Sequence, residues 1–420
     1  METHGQSAYA LLEKLNCVRV AGTDAEHRAA DTLVDTLRGM GLAPRKEAFA
    51  IDVCHPRAAS LKIVAPFEQE YEVTGYAFCG GTAPEGLRAP FFYAEEPDEI
   101  SLSNAKGKIL LLNSRVNVDQ YEQIVKSGAA GFISIHGMPY DDREKTDLDT
   151  YGLRIDRHLR NGEVARLPCA VIRAVDALDL LKREASEAVL TVVQEDAKAT
   201  SHNIIVEIEG TDGGEWLEFG AHYDSVPFSH GMYDNASGSG IILEACAWFL
   251  KNRPRRSMRF CWFGAEEMGL RGSAHHVQAH ADMLQKTRLM INVDLAGQVI
   301  GHHQAVVAAD ECLCEFLRLF AREKGFSLGV TQDSFSSDSN SYADKGIPAM
   351  SFYRGGTNAH TRTDTIALTS PAALGGSIGF LIAFASRLDS FAVFPVPRAI
   401  PESVRTKLDT YFYRKPAGKQ

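Results

Sequence analysis

Several features that would point to a class of protein are missing from this sequence. No CxxC pair occurs, and the eight cysteines (Cys17, Cys54, Cys79, Cys169, Cys246, Cys261, Cys312 and Cys314) are scattered, several of them inside apolar runs. That distribution argues against a disulfide scaffold or a thiolate zinc site and predicts buried free thiols. Positive charge is not in excess: 44 Lys and Arg stand against 54 Asp and Glu, for a net charge of −10. With no basic patch interleaved with aromatics, nucleic acid is not an expected partner. The opening "METHGQSAYALLEKLNCVRV" breaks its apolar residues with Glu, His and Lys, unlike the apolar centre of a secretory signal. No later stretch reads as approaching a membrane span, so the expectation is a cytoplasmic chain with no membrane partner. Repeats of 20 to 50 residues and low-complexity tracts are also lacking, which excludes solenoids and fibres. Oligomeric state leaves no mark on the sequence.

What is present is ordinary in bulk and specific in detail. A chain of 420 residues, 45% hydrophobic and 23% charged, reads as a soluble globular protein of two or three domains. Residues 24–42, "DAEHRAADTLVDTLRGMGL", carry apolar side chains at helical spacing and end on glycine. A strand, "PRKEAFAID", follows. From residue 55 the texture changes to short β-rich runs ("SLKIVAP", "GKILLLN", "GFISIH", "CAVIRAV", "AVLTVV") with two helical patterns between them. After the polar segment "QEDAKATSHN", apolar strands alternate with helices to the end. The expected fold is therefore α/β, a mixed, mostly parallel sheet sandwiched by helices. Residues 1–54 and 196–420 would form this discontinuous domain, with 55–195 inserted as a β-rich one. The Pro-punctuated tail from "PVPRAIPESV" onward is expected to lie over the surface.

In open α/β sheets functional groups collect where strands end at their carboxyl edge. Four apolar strands of this sequence end in ligand-type residues. "EWLEFG" leads to His222, Asp224 and Asp234; "MRFCWFGA" to Glu266 and Glu267; "LMINV" to Asp294; and "PAMSFYRGGTNA" to His360. Two imidazoles and several carboxylates at one edge concentrate more negative charge than a buried site tolerates without cations. Nitrogen and oxygen donors without thiolate suit zinc, with cobalt or manganese as substitutes, and one carboxylate can bridge two metals. Other histidines and acids lack this placement. His280 and Asp282 read as a solvated helix face, Glu95 and Glu96 as a solvated loop, and His275, His276, His302 and His303 as surface residues. Asp234 and Asn235 also suit the N-terminus of the helix that follows.

Taken in order, "AHYDSV", "DNASG", "FGAEEMGLRGS", "NVDLAG", "SSDSNSYADKGIP" and "AHTRTDT" resemble the successive motifs of the co-catalytic di-zinc aminopeptidases, metallopeptidase family twenty-eight. The inserted segment around "GKILLLNSRVNVDQYEQIVKSGAAGFISIHG" is similar to the protease-associated domain many members carry. The resemblance implies two zinc ions and a peptide substrate. It places His222 and Asp294 on one ion, Glu267 and His360 on the other, and Asp234 between them. Glu266 is implied as general base and Asp224 as the carboxylate that orients His222. Asp338 and Asp364 fit loop bracing better than ligation. One departure stands out: many members have Tyr directly before the last histidine, where its hydroxyl helps stabilise the oxyanion, and here that position is Ala359. Tyr353 and Asn358 are the candidates to replace it. A rival reading keeps the zinc ions but takes a C-terminal residue or an N-acyl amino acid, for which Arg271, Arg354 or Arg362 would grip a carboxylate. A third is an inactive binding protein on the same fold.

Overall fold

All seven residues of the strand Ser257–Phe263 are buried, which a strand achieves only with a packed layer on each face. The computed structural model, which describes residues 2–143, 148, 162 and 164–414, supplies both layers. The chain divides into two compact units, Met1–Ile51 with Ala199–Gln420, and Asp52–Lys198.

In the first unit the strands are β1 (Arg45–Ala65, by its first part), β2 (Glu187–Ile208, by its last part), β3 (Trp216–His222), β4 (Ser257–Phe263), β5 (Thr287–Val293), β6 (His303–Ala308), β7 (Leu328–Gln332) and β8 (Ala349–Arg354). Their order across the sheet is β7-β6-β8-β5-β3-β4-β2. The four central strands β8, β5, β3 and β4 run parallel, while β6 is antiparallel to β8 and β2 antiparallel to β4. This is the mixed, mostly parallel sheet the alternation predicts.

The helices of six residues or more are α1 (Glu2–Lys14), α2 (Asp24–Gly39), α3 (Ser237–Lys251), α4 (Arg271–Ala279), α5 (Glu311–Glu323), α6 (Ser339–Asp344), α7 (Pro371–Asp389) and α8 (Glu402–Tyr411). Because side chains alternate along a strand, each strand feeds two cores. Phe219, Phe260, Trp262 and Ile291 pack with α1, α2, α3, α5 and α7 on one face. Cys261, Phe263 and Met290 pack on the other with Val277 of α4, Tyr342 of α6, and Val404 and Leu408 of α8.

Three expectations need correction. The tail does not simply lie over the surface, since α8 buries Val404 and Leu408 in the second core. Among the described residues one later stretch does reach the length of a membrane span: α7 has 19 residues and is apolar enough to cross one. Its Leu374, Ile378, Leu381, Phe384 and Leu388 are instead buried against α1 and α3, so its hydropathy reflects a core helix. Finally, Cys17 is exposed, Cys54 and Cys312 are half-buried, and the other five cysteines are buried; all eight are free.

The second unit has its own core. Strands Leu87–Glu95, Ile109–Leu112, Gly131–His136 and Cys169–Arg173 pair in parallel, in that order. All four residues of Ile109–Leu112 are buried, and helices Val118–Ser127 and Ala174–Lys182 contribute Tyr121, Ile124, Ala177 and Leu180 to the core. Asn117 caps the first of these helices through a reciprocal bond pair with Gln120.

Helix α2 starts on Thr23, whose hydroxyl accepts the Glu26 N–H at 3.4 Å. Glu26 itself is fully buried. Its carboxyl accepts from Gly22 N at 2.7 Å and from the Ser201 hydroxyl. Burial lifts its pKa to about 7. The neutral acid is thus the favoured folded form: the stability it brings is complete below the ordinary carboxylate range and is lost as pH rises through 7. Glu26→Gln is accordingly expected to raise the melting temperature by about 2–4 °C over wild type at pH 8 and by little at pH 5. A thermal melt series across pH checks this, and an equal effect at both values would refute it.

Candidate metal centre

Four parallel strands deliver the site. His222 is the last residue of β3, and Asp294 follows β5 directly; Glu266 lies three residues after β4, and His360 six after β8. The registers align these exits, with Phe263 beside His222 and Val293 beside Phe352. Residues distant in sequence therefore meet along one edge.

Asp234 lies at the centre. One carboxylate oxygen, Oδ1, is 3.1 Å from His222 Nε2, and the other, Oδ2, is 3.2 Å from His360 Nε2. Asp294 Oδ1 lies 3.4 Å and Glu266 Oε2 3.9 Å from His222 Nε2. Glu267 Oε2 lies 3.0 Å from His360 Nε2. The structure thus brings all six candidates together in two half-clusters that share Asp234. His222 is fully buried, and Asp234, Glu266 and Asp294 are each less than a tenth exposed, whereas the side chain of His360 is 47% exposed.

Crowding of buried carboxylates around two imidazoles sets the electrostatics of the site. Burial pushes Glu266 well up, and burial together with Asp234 lifts Glu267 to about 7. Glu267 drives His360 up to about 12. His222 is raised well above the imidazole range by Glu266 and Asp294, against the opposing effect of burial. Both nitrogens of His222, Oε1 of Glu267 and Oδ1 of Asp294 are buried without hydrogen-bond partners. Orphaned donor atoms converging with no thiolate among them fit zinc or a similar divalent ion.

Neighbouring groups hold the loops that carry these side chains. Asp224, also fully buried, stands 3.4 Å from His222 Nδ1 and accepts the backbone N–H of Glu266 at 3.0 Å and of Glu267 at 3.2 Å. It therefore ties the exit of β3 to the exit of β4. Asp364 accepts the N–H of Tyr233 at 2.7 Å and of Asp234 at 3.0 Å, a loop brace as expected. Asn235 donates to Val293 O and accepts from Gly238 N, each at 2.9 Å. A Cβ on Gly238 would lie 2.3 Å from Val293 O, so this close approach requires glycine. The capping expected of Asp234 and Asn235 thus falls to Asn235 alone, since the Asp234 carboxylate faces the imidazoles.

Sequence reasoning missed Arg19. Fully buried, it donates to Tyr223 O at 2.7 Å, His230 O at 2.6 Å and Gly231 O at 3.0 Å, stapling the loop between His222 and Asp234. Nothing in "CVRVAG" marks that arginine as internal.

Asp338 departs from expectation in the other direction. It is fully buried, and neither carboxylate oxygen has a hydrogen-bond partner; burial raises it to about 7. It is not the brace its loop position suggests. Of the arginines weighed for a substrate carboxylate, Arg354 donates to Gln298 O and Val299 O, and Arg271 to Met268 O. Tyr353 stacks on Phe335 at 5.0 Å, and Asn358 donates to Thr363 Oγ1. Several histidines read as solvated are buried or half-buried. His276 is fully buried and His280 bonds Glu47 at 2.6 Å, while His275 stacks on Phe49 and His303 on Phe352.

The chain is similar to known peptidases in sequence and fold. Residues 203–384 match the profile of peptidase family M28. Aminopeptidase YwaD of Bacillus subtilis is 28% identical over 366 residues, 84% of this chain and 75% of that protein. An aminopeptidase of Pseudomonas aeruginosa is 25% identical over 66% of this chain, which spans 54% of that protein's length. Among solved structures, a zinc aminopeptidase from Bacillus subtilis superposes with a TM-score of 0.76 at 25% identity, covering 95% of this chain and 98% of that one. Over residues 203–384 the chain is thus similar to peptidase family M28, and its fold to that of a zinc aminopeptidase.

Asp224→Asn would set an amide N–H against one of the backbone N–H groups that the carboxylate now accepts. It is expected to weaken metal binding about 10- to 100-fold. Equilibrium dialysis against buffered zinc measures this, and unaltered binding would mean that Asp224 orients nothing.

Proposed function

We propose that this chain is a zinc-dependent aminopeptidase that removes N-terminal residues from peptides. The observation that carries the reading is the position of Asp234, whose two oxygens face two different imidazoles at 3.1 and 3.2 Å. A carboxylate so placed suits bridging two ions, with His222 and Asp294 on one side and Glu267 and His360 on the other. Two zinc ions, when bound, would supply the Lewis acidity that activates water and polarises the scissile carbonyl. Cobalt or manganese suit the same donors.

The chain's own residues do the rest. Glu266 stands beside the pair, 3.9 Å from His222 Nε2 against 3.1 Å for Asp234 and 3.4 Å for Asp294. It is the carboxylate left for proton transfer, taking a proton from the attacking water and returning it to the leaving amine. Asp224 faces Nδ1 of His222 and holds the backbone of Glu266 and Glu267. The negative charge around the site favours a substrate with a free α-ammonium, which matches the aminopeptidases this chain is similar to. Arg354 spends Nε and Nη2, and Arg271 its Nε, on backbone carbonyls, which disfavours the carboxylate-gripping alternative at those two residues. The unit Asp52–Lys198, which has a core of its own, is proposed as a protease-associated domain on the resemblance of its sequence.

Three outcomes test the proposal. Leucyl-nitroanilide should be cleaved by the zinc-loaded chain and its N-acetylated form should not; equal cleavage of both would refute an aminopeptidase. Glu266→Gln should retain zinc while turnover falls roughly 10²- to 10⁴-fold. Activity near wild type would remove Glu266 as the base. Ala359→Tyr restores the hydroxyl found in many relatives and should raise kcat on the order of a hundredfold. An unchanged kcat would show that this chain stabilises the oxyanion by other means.

A further inference from the structure

We infer that Glu47, His276 and His280 form a second metal site, for a single divalent ion of the zinc class, built from residues the proposed reaction does not use. The sequence "HVQAH" spaces its two histidines four apart at the end of α4, which puts both imidazoles on one side. Their ring centroids lie 4.8 Å apart. Glu47, on the first part of β1, turns its carboxylate toward both. Oε1 is 2.6 Å from His280 Nε2, and Oε2 is 3.8 Å from His276 Nδ1. One donor atom from each of the three residues lies within 4.8 Å of the others.

A simple ion pair does not account for this cluster. His280 and Glu47 satisfy each other through one nitrogen and one oxygen, but Glu47 Oε2 and His276 Nδ1 are buried and have no hydrogen-bond partner. His276 is 0% exposed, so water does not readily relieve its orphaned nitrogen. A cation among the three side chains would satisfy both atoms, at the roughly 2.0–2.2 Å that zinc keeps from nitrogen and oxygen. The movement needed is small, because the donors already converge.

The surroundings orient the central ligand. The other nitrogen of His276, Nε2, lies 3.9 Å from both Cys261 Sγ and Glu218 Oε2. Glu218 is held in turn by Arg259 at 2.6 Å, by the Tyr342 hydroxyl at 3.0 Å and by Thr287. With Nε2 turned toward this buried side, Nδ1 is the nitrogen left to face a metal. Glu218 is itself a poor ligand candidate, since three donors already occupy its oxygens. Two imidazoles and one carboxylate leave a fourth position open, and solvent reaches it past His280 and Glu47, whose side chains are 18% and 16% exposed. Bound there, an ion would clasp β1 to the end of α4, where Phe49 already stacks on His275 at 5.1 Å.

The test counts ions with zinc as the probe. Wild type, His280→Ala and Glu47→Gln are dialysed to equilibrium against micromolar zinc, and zinc per chain is read by plasma mass spectrometry. Each variant is expected to hold one ion fewer than wild type, with unchanged turnover of an aminoacyl-nitroanilide. The readout is a difference of one ion, so it stands whatever the Asp234 cluster holds. His280 is partly exposed at a helix end and Gln matches Glu in size, so both variants should fold. A zinc content equal to wild type in either variant would overturn the site and leave Glu47 and His280 as an ion pair beside a buried His276.

Discussion

Mutual repulsion among carboxylates is the constraint on which the rest of this structure depends. Asp224, Asp234, Glu266, Glu267, Asp294, Asp338 and Asp364 crowd one end of a parallel sheet, and most of them are buried. Left as anions in a dry site, they would oppose folding. Two imidazoles offset part of that repulsion, and Asp234 is the group both of them face. The orphaned nitrogens of His222 and the unpartnered oxygens of Glu267 and Asp294 suit compensation by cations, so the negative charge that would oppose folding becomes the affinity of the metal centre.

The scaffold earns its precision from strand ends. Parallel strands β8, β5, β3 and β4 share a direction, so their exits line up and residues up to 138 positions apart, His222 and His360, can approach one shared carboxylate. The loops beyond those exits are then fixed from behind. Arg19 holds carbonyls on the His222–Asp234 loop, Asp364 holds its amides, and Asp224 links it to the Glu266–Glu267 turn. Each brace uses a buried charge on backbone groups, which leaves the metal-facing side chains free of competing bonds.

Much of this was legible in the sequence because strand exits leave a local trace: an apolar run, then a ligand-type residue. His222, Asp234, Glu266, Glu267, Asp294 and His360 all carry that trace, and the alternation of strands and helices fixed the fold class. What stayed hidden depends on tertiary packing. Arg19 looks like a surface residue until its partners are known, and Asp338 looks like a turn aspartate until its burial is seen. His276 and His280 read as solvated because helical spacing alone does not say which face meets a strand, and it is Glu47, more than two hundred residues earlier, that covers them. α7 shows the same limit, since an apolar helix of 19 residues suits a membrane or a core equally well.

The two halves of the Asp234 cluster differ in their access to water. The His222 side chain is 1% exposed and that of His360 is 47% exposed, with His360 held in a left-handed backbone conformation on a loop. An ion on the His360 side would face solvent, and one on the His222 side would lie behind it. Exchange should therefore proceed in sequence from the outside, so that mixed-metal hybrids, with one element in the outer position and another retained within, become preparable species.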